Sequence, residues 1–238
     1  MALPTLSTPT YELTVPSTKK KIKYRPFLVK EEKVLLLALE SEDDKEIADA
    51  MKGLIKACVL TKGIDPDELA TFDVEYIFLN IRGKSVGESI ELNVTCPDDE
   101  ETVVKVEVDI DDIKIQKTKG HSNIVKLTDT VSVVMKYPSM DLFIKQNLKS
   151  DTSQVDDVFE IASLCIDQVI DGEDVFESSS FSKKEVLAFL EEMDTQQFLK
   201  VQEFFETMPK LSHTIKVTNP KTKVKSDVVI EGLQSFFA

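Results

Sequence analysis

Residues 10–16 (TYELTVP) and 20–27 (KKIKYRPF) alternate apolar and polar side chains around a Pro-Ser-Thr-Lys turn, which predicts a two-stranded hairpin. Residues 28–39 (LVKEEKVLLLAL) are helical in spacing. Their apolar positions run on so continuously that the helix is expected inside the core rather than on the surface. Ser41 with Asp44 is spaced as a helix start, ahead of Ile47, Met51, Leu54, Ile55 and Cys58 on one face, and Gly63 closes the stretch. Asp65-Pro66-Asp67-Glu68 sets a capping carboxylate before a proline and two acids. It predicts a helix over 66–80 carrying Leu69, Phe72, Tyr76, Ile77 and Leu79.

The texture then changes to strand. Residues 89–95 (SIELNVT) and 102–109 (TVVKVEVD) alternate on either side of the acidic turn Pro97-Asp98-Asp99-Glu100-Glu101, the clearest hairpin in the chain. Residues 123–127 and 131–137 form a second strand pair. Pro138 returns the chain to helix over 140–148, followed by a Ser/Thr/Asp linker at 150–154. The next helix places Val155, Val158, Phe159, Ala162, Cys165, Ile166 and Val169 on one face and ends at Gly172. Ser182 with Glu185, and Asp194 with Gln197, are capping boxes for two further helices. Residues 213–217 and 225–230 read as a hairpin around Asn219-Pro220-Lys221-Thr222, before an apolar tail with Leu233, Phe236 and Phe237. No β-α-β rhythm and no repeat is present, so the fold class is α+β. The expected parts are 1–83 (hairpin and helices), 84–137 (a central β-hairpin-rich insertion) and 138–238 (helices with a closing C-terminal hairpin).

Charge changes this picture most at the two ends. The chain has 43 acidic and 29 basic residues, a formal charge of -14. Residues 1–30 nevertheless set Lys19, Lys20, Lys21, Lys23, Arg25 and Lys30 against Glu12, and residues 210–238 are also rich in lysine. The acidic surplus lies between. Such asymmetry marks complementary surfaces, within the fold or between subunits, or else lysines guarding exposed strand edges. An acidic protein of this kind is expected to bind neither nucleic acid nor anionic lipid over most of its surface. No stretch approaches a membrane span, and the start MALPTLSTPTYEL lacks the pattern of a secretory leader. Cys58, Cys96 and Cys165 are far apart and odd in number, so reduced, buried thiols are expected.

A search for chemistry finds no nucleophile elbow, phosphate loop or dinucleotide fingerprint. The only histidines, His121 and His213, have no metal-ligand partner at a useful spacing. Residues 167–174 (DQVIDGED) fail as a calcium loop because Val169 occupies the third position, and Cys96 has no neighbouring cysteine to make a zinc knuckle. No catalytic, cofactor or metal residue is therefore assigned. Two features suit contact instead. Lys19, Lys20, Lys21, Lys23 and Arg25, interleaved with Ile22 and Tyr24, would form a basic strand edge able to pair with a partner strand or stack on a base. Phe236 and Phe237 would anchor the tail, in their own domain or in a neighbour.

Three stretches carry a resemblance: KKKIKYRPFLVKEEKVLLLALES (19–41), FDVEYIFLNIRGKSVGESIEL (72–92) and VVIEGLQSFFA (228–238). They resemble the baseplate hub subunit family of T-even-like contractile-tailed bacteriophages, which includes a related hub assembly catalyst. The block RPF-x-VKEEK followed by a leucine run is the most specific part. The resemblance implies a non-enzymatic viral protein made in the host bacterial cytoplasm and used to build the central hub of the tail baseplate. Its partners would be other hub proteins, with self-association as a further mode. The alternatives are a chaperone-like assembly catalyst absent from the finished virion, or a small hydrolytic or nucleic-acid-processing enzyme.

Overall fold

In the computed structural model of the chain, residues 6–142, 144 and 154–232 are described. The fold is α+β and divides into two compact units. Unit 1 comprises Met1–Gln116 with Lys210–Ala238, and unit 2 is Lys117–Pro209. The sequence boundary at 83/84 lies inside a helix of unit 1 and that at 137/138 inside unit 2.

Unit 1 begins with β1 (Tyr11–Thr14) and β2 (Lys21–Tyr24), the predicted antiparallel hairpin, with Leu13 opposite Ile22. Then come α1 (Val29–Ser41), α2 (Asp44–Cys58) and α3 (Thr71–Val86). β3 (Ser89–Thr95) and β4 (Val103–Asp109) form the acidic-tipped hairpin, and a 3-10 turn (Ile110–Asp112) leads to β5 (Lys114–Gln116). After unit 2 the chain returns as β10 (Lys210–Thr218) and β11 (Lys225–Glu231). These join β5 in a sheet of order β11-β10-β5. Gln116 is the register partner of Lys210, so the chain leaves unit 1 and re-enters it at one rung of that sheet.

The centre of unit 1 is α3. Phe72, Val74, Ile77, Phe78, Leu79 and Ile81 are all buried, which spreads apolar contact around most of the helix rather than along one stripe. α2, β5, β10 and the 3-10 turn pack against it. Gly83 allows the last of these, since a Cβ there would meet the Ile110 Cδ1 at 3.2 Å. Asp73 is completely buried on the same helix and accepts from the Ser17 backbone N–H (3.0 Å) and the Ser17 hydroxyl. The turn of the β1–β2 hairpin is thereby pinned to α3.

Unit 2 contains β6 (Ile124–Lys126), β7 (Val131–Met135), α4 (Gln154–Cys165), β8 (Ile166–Asp171), β9 (Asp174–Glu177), α5 (Lys183–Glu191) and α6 (Thr195–Thr207). The sheet order is β6-β7-β8-β9, antiparallel throughout. Val133, Met135, Ala162, Cys165, Leu190 and Phe204 form the heart of its core. Both sequence-level capping boxes are present. The Ser182 N–H donates to the Glu185 carboxylate at 2.7 Å, and the Gln197 N–H donates to Asp194 at 2.8 Å.

Four sequence expectations are corrected. α1 is a helix, but it lies on the surface: α3 fills the core, and only Leu35 and Ala38 of α1 are buried. Asp43, not Ser41, caps α2, accepting from Lys45 N (2.8 Å) and Glu46 N (3.0 Å), while the Ser41 hydroxyl bonds back to the Ala38 carbonyl at 2.7 Å. Asp65-Pro66-Asp67-Glu68 forms a turn closed by Glu68 N–H donating to Asp65 O, and α3 starts only at Thr71. The helix expected through Val169 ends at Cys165. Ile166, Val169 and Ile170 continue as a strand between β7 and β9, where β-branched side chains fit the pleat. Most of the helix expected over 140–148 lies outside the described residues, as do Phe236 and Phe237.

Because Asp73 is fully buried and accepts both Ser17 donors, replacing it with alanine leaves those donors without an acceptor. Asp73→Ala is expected to destabilise the chain by about 2–3 kcal/mol in urea denaturation, with Asp73→Asn costing less.

Candidate interaction surfaces

Lys19, Lys20, Lys21 and Lys23 are all exposed, whereas Ile22 and Tyr24 face inward. Lys19 takes the left-handed position of the turn (φ 59°). Lys20 Nζ donates to the Gly63 carbonyl at 3.0 Å and to Lys62 O at 3.4 Å, tying the hairpin to the loop after α2. Lys23 Nζ lies 3.6 Å from Glu12 on β1. The second edge of β2 is occupied by the segment after α2. Arg25 N–H donates to Cys58 O (3.0 Å), Leu60 N–H to Lys23 O (2.8 Å), and Lys23 N–H to the Thr61 hydroxyl (2.8 Å). What this hairpin offers outward is its lysine side chains.

Arg25 turns inward. Its guanidinium forms a fork with Glu31 (2.9 and 3.2 Å) and donates to the carbonyls of Pro26 (2.8 Å) and Ala57 (3.1 Å). The pair holds the Arg25 pKa above, and the Glu31 pKa below, its ordinary value, chiefly through that fork. Glu31 also accepts from Leu28 N–H at 2.5 Å, closing the first turn of α1. The RPF-x-VKEEK block is therefore a local device: its arginine and the first of its adjacent glutamates clamp the start of α1 onto the end of α2.

With α1 held this way, its outer face is apolar and wet. Val29 is 80% exposed, Val34 56%, Leu36 52% and Leu37 56%, against 8% for Leu35 and 7% for Ala38. Lys33 and Glu40 are exposed on the same side. The last turn of α1 has no basic residue, and Glu40, Glu42, Asp43, Asp44 and Glu46 gather around its C-terminal end. Acids at that end oppose the helix dipole.

Elsewhere in unit 1 the acidic and basic hairpin tips are stapled together. Asn219, fully buried, donates through its amide to both oxygens of Asp98 at 3.1 Å, and the Thr222 hydroxyl also donates to Asp98. These bonds hold the Asp98 carboxyl below its ordinary value, Thr222 contributing most. Asp99 is held lower still, first by the Thr102 hydroxyl (2.6 Å) and then by the Thr102 N–H (2.9 Å).

In unit 2, His121 is held at both ring nitrogens, 2.9 Å from the Thr207 hydroxyl and 3.0 Å from the Tyr137 hydroxyl. It lies in a ring cluster, its centroid 5.7 Å from that of Tyr137 and 5.2 Å from that of Phe204. A polar recess of about 470 Å³ opens beside it, with Lys119, Lys126, Lys200 and Glu203 on its walls. A separate apolar groove of about 270 Å³ is lined by Pro138, Leu142, Val158, Ile161, Phe205 and Met208. Nothing in the sequence flagged His121, because its partners lie 16 and 86 residues away.

All three cysteines are free and buried. Burial raises each thiol, Cys58 to about 11 and Cys165 to about 12, so neither is a ready nucleophile. Among the described residues, no group of three or more His, Cys, Asp or Glu could hold a metal ion, and no helix is long and apolar enough to cross a membrane.

Burial first, and then Lys117, hold the His121 imidazole below its ordinary pKa. The unfolded chain therefore takes up this proton at higher pH than the folded one. The stabilising effect of the neutral ring is complete above about pH 6.5 and declines as pH falls toward the folded value. Thermal unfolding followed between about pH 7.5 and 5.5 should show this decline, and His121→Gln should remove it.

No curated protein and no solved structure matches the chain. The family model described as T4 bacteriophage base plate protein matches residues 8–238. That span takes in every described strand and helix of both units, including α1 and its clamp. The chain belongs to the T4 bacteriophage base plate protein family.

Proposed function

We propose that this base plate protein is a component of the hub, or a factor in hub assembly, and that it works by protein contact rather than by catalysis. The observation that carries the reading is the family match over residues 8–238. The geometry adds to it. The stretch 19–41, which holds the RPF-x-VKEEK block, is where unit 1 turns apolar side chains and lysines outward. Soluble monomers rarely leave such a run of aliphatic residues in water without a use for it. On this reading the chain is made in the host bacterial cytoplasm and meets other base plate proteins there.

Lys19, Lys21 and Lys23 are the residues proposed to meet an acidic partner surface. Lys20 shares that edge while bracing its own loop, and Arg25 supports it from beneath. Phe236 and Phe237 are proposed as a second anchor. Charge at the rim of a contact acts mainly on encounter rate and on the choice of partner.

Quantitative mass spectrometry of purified virions tests the hub reading. A hub component is expected at a fixed stoichiometry with other base plate proteins. Detection in infected cells but not in virions would identify a transient assembly factor instead. Lys19→Glu with Lys21→Glu, which spares the Lys20 bonds, should leave the melting temperature within a degree or two while hub assembly fails. Normal assembly with both substitutions removes the lysine edge from the contact. Deleting residues 236–238 should likewise impair assembly at unchanged stability if the tail docks on a partner, and a fall in melting temperature would place it in its own fold.

A further inference from the structure

The exposed stripe of α1 complements itself when reversed. Lys33, Leu36, Leu37 and Glu40 stand at i, i+3, i+4 and i+7, on one side of the helix, and all four are exposed. Reversing the helix end for end about the midpoint of Leu36 and Leu37 sets leucine on leucine and lysine on glutamate. We propose that α1 pairs with α1 of a second copy of this chain, antiparallel, about a two-fold axis through Leu36 and Leu37.

Three observations favour a second copy over an unrelated helix. The first is this self-complementarity: in the antiparallel register Lys33 meets Glu40 of the other copy, and the same pair recurs across the axis. A two-fold interface demands that one patch complement itself, and a stripe of lysine, leucine, leucine and glutamate does so. The second is the field along the helix. The C-terminal end of α1 carries Glu40 and Glu42 and no basic residue in its last turn, while toward its N-terminal end Lys30 and Lys33 flank Glu31, which Arg25 pairs, and Glu32. Antiparallel pairing brings the acidic, dipole-negative end of one α1 beside the lysine-bearing, dipole-positive end of the other. The third is availability. Among the described residues neither Lys33 nor Glu40 has an ionic partner within its own chain, whereas Glu31, nearest the helix start, is already neutralised by Arg25. That same fork orients α1 before any contact forms, so little ordering is needed on pairing.

The stripe is short. α1 has 13 residues and a length of about 20 Å, so the contact falls in the small, transient class of interfaces. An isolated dimer should form with a dissociation constant on the order of 10 µM rather than nanomolar.

Sedimentation equilibrium of the full chain, over about 1 to 200 µM, tests this. A reversible monomer–dimer equilibrium is expected. Leu36→Asp with Leu37→Asp should abolish it at unchanged melting temperature, both sites being exposed. The decisive set is charge reversal. Lys33→Glu alone and Glu40→Lys alone should each weaken association about tenfold or more, because each sets like charges opposite one another twice in the dimer. Lys33→Glu combined with Glu40→Lys should restore it, since in a self-pairing helix each swapped residue meets the other. A chain that stays monomeric throughout, or a double swap that fails to restore the dimer, overturns the proposal. A monomer whose leucine variants drop out of base plates would assign the stripe to a helix of another base plate protein. The hub reading stands or falls separately, on the virion stoichiometry.

Discussion

One helix apolar around most of its circumference constrains the whole of unit 1. α3 cannot rest on a surface by a single stripe, because only the face of Thr71, Glu75 and Arg82 could turn outward without exposing phenylalanine, isoleucine or leucine. It must be wrapped, and α2, β5, β10 and the 3-10 turn do so. The β1–β2 hairpin is fixed to it through the buried Asp73 carboxylate and Ser17. The same demand explains why β10 and β11, at the far end of the chain, return to unit 1. β10 closes over α3 and carries the Asn219 turn that staples the acidic hairpin. Once α3 occupies the centre, α1 has only a narrow strip of α2-facing surface to bury. Two helices of similar apolar content thus have opposite fates, set by position rather than by composition.

That outcome marks the limit of what the sequence could tell. Elements whose evidence is local were legible: the two capping boxes, the three hairpins whose turns carry Pro, Asp or Asn, and the stripe of α2. Burial of α1 was misjudged because a continuous apolar run does not say which helix takes the core. The join of α4 to β8 was missed because Ile166 and Val169 fit a helical stripe and a strand equally well, and only pairing with β7 and β9 decides. The Asp65-Pro66 start failed because an Asx-type turn uses the same residues as a helix cap. At the surfaces, exposed lysines were readable one by one. The inward turn of Arg25 was not, since it depends on Glu31 and on the carbonyl of Ala57 across the fold.

The charge asymmetry resolves along similar lines. Part of it is used within unit 1, where Arg25 pairs with Glu31 and Lys20 bonds the loop at Gly63, whereas the turn after Asn219 is tied to Asp98 only through the neutral Asn219 and Thr222 side chains. Those groups are committed to the fold and are poor candidates for a partner. What remains outward includes lysines on the β1–β2 hairpin, Lys216, Lys221, Lys223 and Lys225 on the β10–β11 hairpin, and the charges of α1. Interaction surfaces are better sought among charges the fold leaves unpaired than among runs of like charge in the sequence.

A chain with a formal charge of -14 also repels its own copies at distance, and this bears on how an exposed apolar stripe is tolerated. Lys33 and Glu40 bound the aliphatic run 34–39, so the proposed pairing limits the leucine contact to two residues per copy. Such a contact is too small to hold two molecules together at low concentration. Were neighbours in a particle to hold two copies side by side, the effective concentration would rise to about millimolar and the proposed contact would saturate. Salt screening at cellular ionic strength, with a reach of about 8 Å, removes much of the long-range repulsion but leaves the 33–40 pairs at contact distance largely intact. The proposed pairing is therefore one that dilution breaks and fixed neighbours would make, which separates it from a stable dimer of the free chain.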